Sequence, residues 1–234
     1  MTLHDPEVVR REYATERGLA GRKAAYRFAE GPDAHDIVLQ AVAEARPTRI
    51  LEVGCGEGEL AERMQAELGV EVAALDQSER MVELTRARGV EAIVGDVQEL
   101  PFADGEFDCA LAAWMLYHVP DLDRALSELA RVLRPGGRLV AVTIGLDHMR
   151  ELRRLAGAPP PDLTFHAENG ADLLGDHFGR VERREATGWI AFPDRAAAQA
   201  YVDASITWGR GRRLPQFDGG LRVRSAPHVF VADK

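Results

Sequence analysis

The chain has 234 residues, an apolar share of 46% and a formal net charge of -9. Such a length suits one α/β domain with modest additions, and the apolar share supports a true core. The acidic balance argues against nucleic acid as a partner, because phosphate binding wants a basic face.

The N-terminal stretch MTLHDPEVVRREYATER is charged and has no signal-peptide core, and no apolar run approaches a membrane span. The two cysteines, Cys55 and Cys109, lack ligand-like spacing. Neither zinc nor a disulfide framework is therefore expected, and a cytoplasmic location is. Residues 5–31 read as a polar helical arm, opened by Pro6, with Tyr13, Leu19, Tyr26 and Phe28 too sparse for a deep core stripe. Apolar residues at Ile37, Val38, Ala41, Val42 and Ala45 then recur at helical spacing until Pro47.

Strands and helices alternate after that. RILEV (49–53) is a strand and residues 58–68 a helix; VEVAALD (70–76) is the next strand. Ser78 caps a helix that Gly89 closes. VEAIVGD (90–96) and FDCALAAW (107–114) follow as strands, then a helix over 122–133. A PGG turn leads into the strand RLVAVTI, and helices are expected around 149–156 and 169–177. RVERREATGWIAF reads as one strand, residues 196–206 as a helix, and LRVRSAPHVFVAD as a single last strand. Continuously apolar strands separated by helices predict a parallel sheet covered on both faces.

The stretch RILEVGCGEGEL raises the functional question, because Gly54, Gly56 and Gly58 follow directly behind Glu52. In a parallel sheet, ligands bind in crevices at the carboxyl ends of the strands. Glycine there gives the backbone freedom and leaves no side chain between it and a ligand. Glu59 stands where a dinucleotide fingerprint wants its third glycine, and Glu57 and Glu62 crowd a helix start that a pyrophosphate would prefer bare. These acids suit a cationic ligand without phosphate, such as S-adenosylmethionine. Asp76 ends the second strand where an acid can accept from ribose hydroxyls, although a strand-end helix cap uses the same residue type. Asp96 ends the third strand and can accept an adenine amino group, or serve simply as a turn acid.

LEVGCGEGEL, VAALDQSERMV and VGDVQELPFADGEFDCALAAWMLYHVPDLDRALSELARVLRPGGRLV together resemble the class I S-adenosylmethionine-dependent methyltransferases of the small-molecule type. The resemblance covers residues 49–143 and implies a Rossmann-like, doubly wound, seven-stranded, mostly parallel sheet with its last strand antiparallel. No internal repeat or low-complexity linker divides the chain, so one domain is expected over 1–234: a helical arm or lid (1–46), a cofactor-binding core (47–145) and a C-terminal part with substrate-site elements (146–234). The resemblance further implies that Gly54 and Gly56 pass under the methionine part of the cofactor, supported by Glu52. Asp76 would bind the ribose, Gln77 and Met81 flank the adenosine, Asp96 and Val97 hold the adenine, and Ala113 and Trp114 line the sulfonium region.

Methyl transfer is an in-line displacement in which the cofactor supplies the reactive group, so no metal is expected. A hydroxyl nucleophile can need a base, and His118 is the candidate, with a packing role as the alternative. Tyr13, Arg17, Tyr26, Tyr117 and Trp208 are candidate acceptor contacts, as are His166, Trp189 and Tyr201 in the unmatched parts. WGRGRR (208–213) is a basic knot that reads as a solvated loop or as a contact for an anionic acceptor. The expected function is methyl transfer to an O- or N-nucleophile of a small molecule. The alternatives are a nicotinamide-dependent oxidoreductase or a non-catalytic cofactor-binding module.

Overall fold

The computed structural model describes residues 3–205 and 207–234. In chain order the elements are α1 (Pro6–Glu12), α2 (Arg17–Lys23), a 3-10 turn (Ala24–Phe28), β1 (Ala29–Glu30), α3 (Ala34–Glu44), β2 (Arg49–Val53), α4 (Glu59–Leu68), β3 (Glu71–Asp76), α5 (Glu79–Ala87) and β4 (Glu91–Val94). Then come β5 (Phe107–Ala113), a 3-10 turn (Leu116–His118), α6 (Leu122–Val132), β6 (Leu133–Ile144), α7 (Arg150–Leu155) and α8 (Gly170–Gly175). The chain ends with β7 (Arg180–Glu185), β8 (Gly188–Phe192), α9 (Arg195–Ala204), β9 (Leu221–Ser225) and β10 (Pro227–Asp233).

Seven strands form one sheet in the order β4-β3-β2-β5-β6-β10-β7. The pairs along β4-β3-β2-β5-β6 are parallel, and β10 runs antiparallel to both β6 and β7. Successive strand residues point to opposite faces. Leu51, Val53, Ala110, Ala112 and Leu139 join the core covered by α6 and α8, through Leu126, Leu129 and Leu174. Ile50, Cys109, Leu111 and Val140 join the core covered by α3, α4 and α5, through Val38, Val42, Met64 and Val82. Side-chain oxygens of Asp33, Ser78, Asp121 and Asp194 cap α3, α5, α6 and α9, each satisfying a free N–H of the first turn.

Two expectations need correction. RVERREATGWIAF and LRVRSAPHVFVAD are not two strands of one sheet. Each splits between the large sheet and a second sheet of order β1-β8-β9. The antiparallel register runs on unbroken, from Glu185 opposite His228 to Gly188 opposite Ser225. The two runs therefore form one ribbon, bent out of the large sheet at residues 186–187 and at Ala226. Gly188 is needed beyond the bend, because a Cβ there would lie 2.2 Å from the Glu30 carbonyl oxygen. The second correction concerns PGG, which lies inside β6: Leu133 already pairs with Phe107, and the register shifts before Cys109 meets Arg138. β6 spends five residues where β5 spends two, so the PGG segment loops out of the ladder, and Gly136 supplies a positive φ of 73° there. The helix expected over 196–206 is α9, and Ile206 lies outside the described residues.

The bent ribbon, α7 and α9 enclose a third small core of Met149, Leu152, Ile190, Phe192, Tyr201 and Val223. Strand order reverses between β2 and β5, which places a crevice at their carboxyl ends.

Candidate functional site

Glu52, Asp76, Asp96 and Trp114 all fall at the carboxyl end of the parallel strands, at or just past β2, β3, β4 and β5. Glu52 is 2% exposed; the backbone N–H of Ala61 meets its carboxyl, and Oε2 has no partner among the described residues. Burial, with a smaller push from Asp76, raises its pKa to about 8. Gly54 adopts a left-handed φ of 66° and donates to the Leu75 carbonyl at 2.7 Å. A Cβ on Gly54 would come within 2.7 Å of the Met115 side chain, so the glycine is required by packing as well as by φ.

Asp76 ties the first two strand ends together. Its Oδ2 accepts from the Gly56 backbone N–H and its Oδ1 from that of Ser78, both at 2.9 Å. Burial still holds its pKa above the usual carboxylate value. Each oxygen keeps a lone pair, so the residue can anchor the turns and accept from a ribose. Gly58 serves packing instead: a Cβ there would lie 2.9 Å from Thr85 Cα on α5. Asp96 accepts from the backbone and side-chain amide of Gln98 at 2.9 and 3.0 Å, and Val97 is buried beside it. Gln77 is exposed at the rim, while Met81 is fully buried.

Past Ala113, Trp114 takes a left-handed φ of 53° and donates its backbone N–H to the Val142 carbonyl at 2.9 Å. That conformation is strained for a bulky residue. Its ring packs 5.0 Å from the His35 ring, and the next residue, Met115, lies against Gly54.

The arm lies over this crevice. Lys23 Nζ pairs with Glu57 at 2.7 Å and Glu59 at 2.6 Å, Arg80 with Glu16 at 3.4 Å, and Ser78 Oγ donates to the Tyr13 carbonyl at 2.8 Å. Two of the turn's acids are thus held by a lysine of the arm, which sequence reasoning did not foresee; single exposed pairs of this kind contribute about 0.2–1 kcal/mol.

His118 is buried and fully engaged. Its Nδ1 sits 2.8 Å from the Leu3 carbonyl oxygen, and its Nε2 sits 2.9 Å from the Tyr13 hydroxyl. A carbonyl only accepts, so Nδ1 carries the proton, and Nε2 accepts from Tyr13. Burial lowers the His118 pKa to about 4, leaving it neutral. Tyr117 packs edge-on against His118 at 4.6 Å. Burial raises the pKa of Tyr117, which lies in the electrostatic range of Tyr13, Arg22, Tyr26 and Tyr201. Arg22 was missed by sequence reasoning, since nothing in GLAGRK distinguishes it. It pairs with the buried Glu12 and donates to the Ala204 carbonyl at 3.1 Å.

Trp208 joins the third core beside Tyr201, with ring centroids 6.2 Å apart. Tyr26 is 38% exposed, beside the same group. Arg17 is exposed at the start of α2 and makes no hydrogen bond or ion pair with these residues. His166 pairs with Glu168 at 2.9 Å, and Trp189 faces Arg222 on the small sheet; neither is brought to the crevice.

These residues fit a cationic nucleoside better than a dinucleotide. An unpaired Glu52 oxygen lies buried behind the turn, and Asp76 keeps acceptor capacity at the rim. Glu59 occupies the position where a dinucleotide fingerprint places its third glycine, although Lys23 and Arg88 pair with the acids of this helix start. Sheet order, glycine turn and strand-end acids together define the class I methyltransferase fold. A profile described as a methyltransferase domain matches residues 51–141. An uncharacterized methyltransferase of Mycobacterium tuberculosis is 38% identical over 213 residues, covering 86% of this chain and 82% of that protein. An O-methyltransferase of Aspergillus nomiae is 36% identical over 135 residues, covering 53% of this chain and 56% of that one, so the chain spans about half such a relative's length. A solved Thermotoga maritima structure, described as a SAM-dependent methyltransferase and possible histamine N-methyltransferase, shares the fold. Its TM-score is 0.57 at 24% identity, over 90% of this chain and 92% of that one.

The chain belongs to the class I S-adenosylmethionine-dependent methyltransferase family, whose cofactor is S-adenosylmethionine. Among the described residues no helix is long and apolar enough to cross a membrane.

Glu52 also makes a stability prediction. Its pKa in the folded chain, about 8, lies above the ordinary carboxylate value near 4.5, so the folded state holds the proton more tightly. That contribution is complete below pH 4.5 and is lost as pH rises through 8, on the order of 5 kcal/mol in all. Glu52→Gln is expected to flatten this slope, measured as denaturant midpoints at pH 5 and pH 8. Equal slopes in wild type and variant would show that Glu52 is not buried as described.

Proposed function

We propose that the protein transfers a methyl group to a hydroxyl of a small-molecule acceptor held between the arm and α9, with Tyr13 and His118 receiving the proton. The observation that carries this reading is the Tyr13 hydroxyl hydrogen-bonded to a tautomer-fixed His118. S-adenosylmethionine, when bound, supplies a methyl group on a sulfonium sulfur. Gly54 and Gly56 leave room for its methionine part; Asp76 holds the ribose, with Gln77 and Met81 beside the adenosine. Asp96 and the backbone of Val97 hold the adenine, and Ala113 and Trp114 wall the reacting end.

The acceptor hydroxyl donates to Tyr13 Oη while Tyr13 donates to His118 Nε2. As the acceptor oxygen gains the methyl group, its proton becomes strongly acidic and moves to Tyr13, and the Tyr13 proton moves to His118. An imidazole with a pKa near 4 is base enough for such an acid, because the transfer accompanies methylation instead of preceding it. The O-methyltransferase relative supports a hydroxyl acceptor.

The test is release of S-adenosylhomocysteine with a panel of phenols, aliphatic alcohols and amines. Turnover with hydroxyl compounds is expected. Turnover with amines alone would overturn the proton relay. Saturable cofactor binding with no transfer to any compound would favour a non-catalytic binding module.

A further inference from the structure

Arg153 on α7 is a half-buried arginine with no carboxylate beside it, whereas most of the half-buried arginines pair with one. Arg22 pairs with Glu12, Arg131 with Glu128, Arg138 with Asp233 and Arg184 with Glu44. Arg153 pairs with no carboxylate among the described residues. Its guanidinium sits 4.9 Å from the Trp208 ring centroid, one Nη donates to the Pro159 carbonyl, and Nε is buried with no acceptor. A buried donor left without an acceptor is costly, the more so on a charged group, so this guanidinium is short of a partner.

The charged neighbour of Arg153 is another cation, Arg212, whose own guanidinium is spent on the Ala156 and Gly157 carbonyls at the end of α7. Two adjacent guanidinium groups without a carboxylate are unexpected in a chain with nine excess negative charges. Trp208 leads on to Tyr201, with ring centroids 6.2 Å apart, and one turn further along α9 the Ala204 carbonyl accepts from Arg22, whose guanidinium lies 6.0 Å from the Tyr13 ring centroid. The hydroxyls of Tyr26, Tyr117 and Tyr201 make no hydrogen bond among the described residues.

We propose that Arg153 and Trp208 form the docking site for a carboxylate carried by the methyl acceptor, with Tyr201 lying between this anchor and the Tyr13–His118 pair. The proposal rests on the methyltransferase reading above. The carboxylate accepts from Arg153 Nη1, which makes no hydrogen bond among the described residues, Trp208 supplies a flat wall, and the free tyrosine hydroxyls meet the remaining polar groups of the acceptor.

The test titrates benzoate, salicylate and 4-hydroxybenzoate, and the carboxamide of each, into protein saturated with S-adenosylhomocysteine. At least one carboxylate is expected to bind about tenfold or more tightly than its carboxamide, since a hydrogen bond between two charged groups is roughly twice as strong as a neutral one. Arg153→Gln is expected to abolish that preference, and Trp208→Phe to weaken binding of acid and amide alike. Both variants should keep wild-type affinity for S-adenosylhomocysteine, which also reports that they fold. If no carboxylate binds at millimolar concentration, or if Arg153→Gln or a correctly folded Arg153→Lys keeps the full preference, the proposal is wrong. Failure of the wild type to bind S-adenosylhomocysteine would instead remove the methyltransferase reading beneath it.

Discussion

Replacing His118 with Ala is expected to lower kcat by about 10²–10³-fold for any hydroxyl acceptor, with cofactor affinity unchanged. Nε2 is the only site on the imidazole that can take a proton, because Nδ1 already carries one against the Leu3 carbonyl. Tyr13→Phe breaks the relay one step earlier and is expected to lower kcat about tenfold or more. Rescue of Tyr13→Phe by more acidic phenols, which need less help losing a proton, would distinguish a relay from a structural role. The pH profile offers an independent check. With the His118 pKa near 4, the acidic limb of kcat/KM should fall near pH 4, well below the 6.5 of a free imidazole. Stability follows the same sign: the folded value is depressed, so this group's contribution is complete above pH 6.5 and fades as pH falls towards 4. A His118→Ala enzyme with wild-type kcat would eliminate the base assignment.

Asp76→Ala is expected to have the largest effect on the cofactor, weakening S-adenosylmethionine at least 10²-fold by calorimetry. Two losses combine. The ribose loses its acceptor, and the backbone N–H groups of Gly56 and Ser78 lose theirs. Each N–H left without a partner in a buried setting costs about 1–3 kcal/mol, so the glycine turn should loosen and the melting temperature drop. Asp76→Asn keeps one acceptor oxygen and should fall between the two. The nearby Glu52 feels Asp76 as a like charge, so both variants should also lower the pH at which Glu52 ionises. Unaltered cofactor affinity in Asp76→Ala would refute the placement of the ribose.

Much of the fold was legible because it is encoded locally. The apolar runs of β2, β3 and β5, the Ser78 cap and the helix of α6 each follow from residues within one or two turns. The strand-end acids were visible for the same reason: in parallel topology each strand must present its carboxyl end to the same crevice. Gly58 was the exception among the turn glycines, since only the packing of Thr85 reveals what it does.

The parallel strands, the glycine turn and the row of strand-end acids are written in the sequence, because short-range periodicity and turn chemistry specify them; the seven-stranded order followed only from the family resemblance. Tertiary structure alone decided the rest. It set the bend that carries one continuous ribbon into a second sheet, the left-handed Trp114, the burial of Arg22, and the isolation of Arg153. It also made the contact of Tyr13 with His118, separated by 105 positions along the chain. Such features arise where distant segments compete for the same space and the same hydrogen-bond partners, and no local pattern records the outcome of that competition.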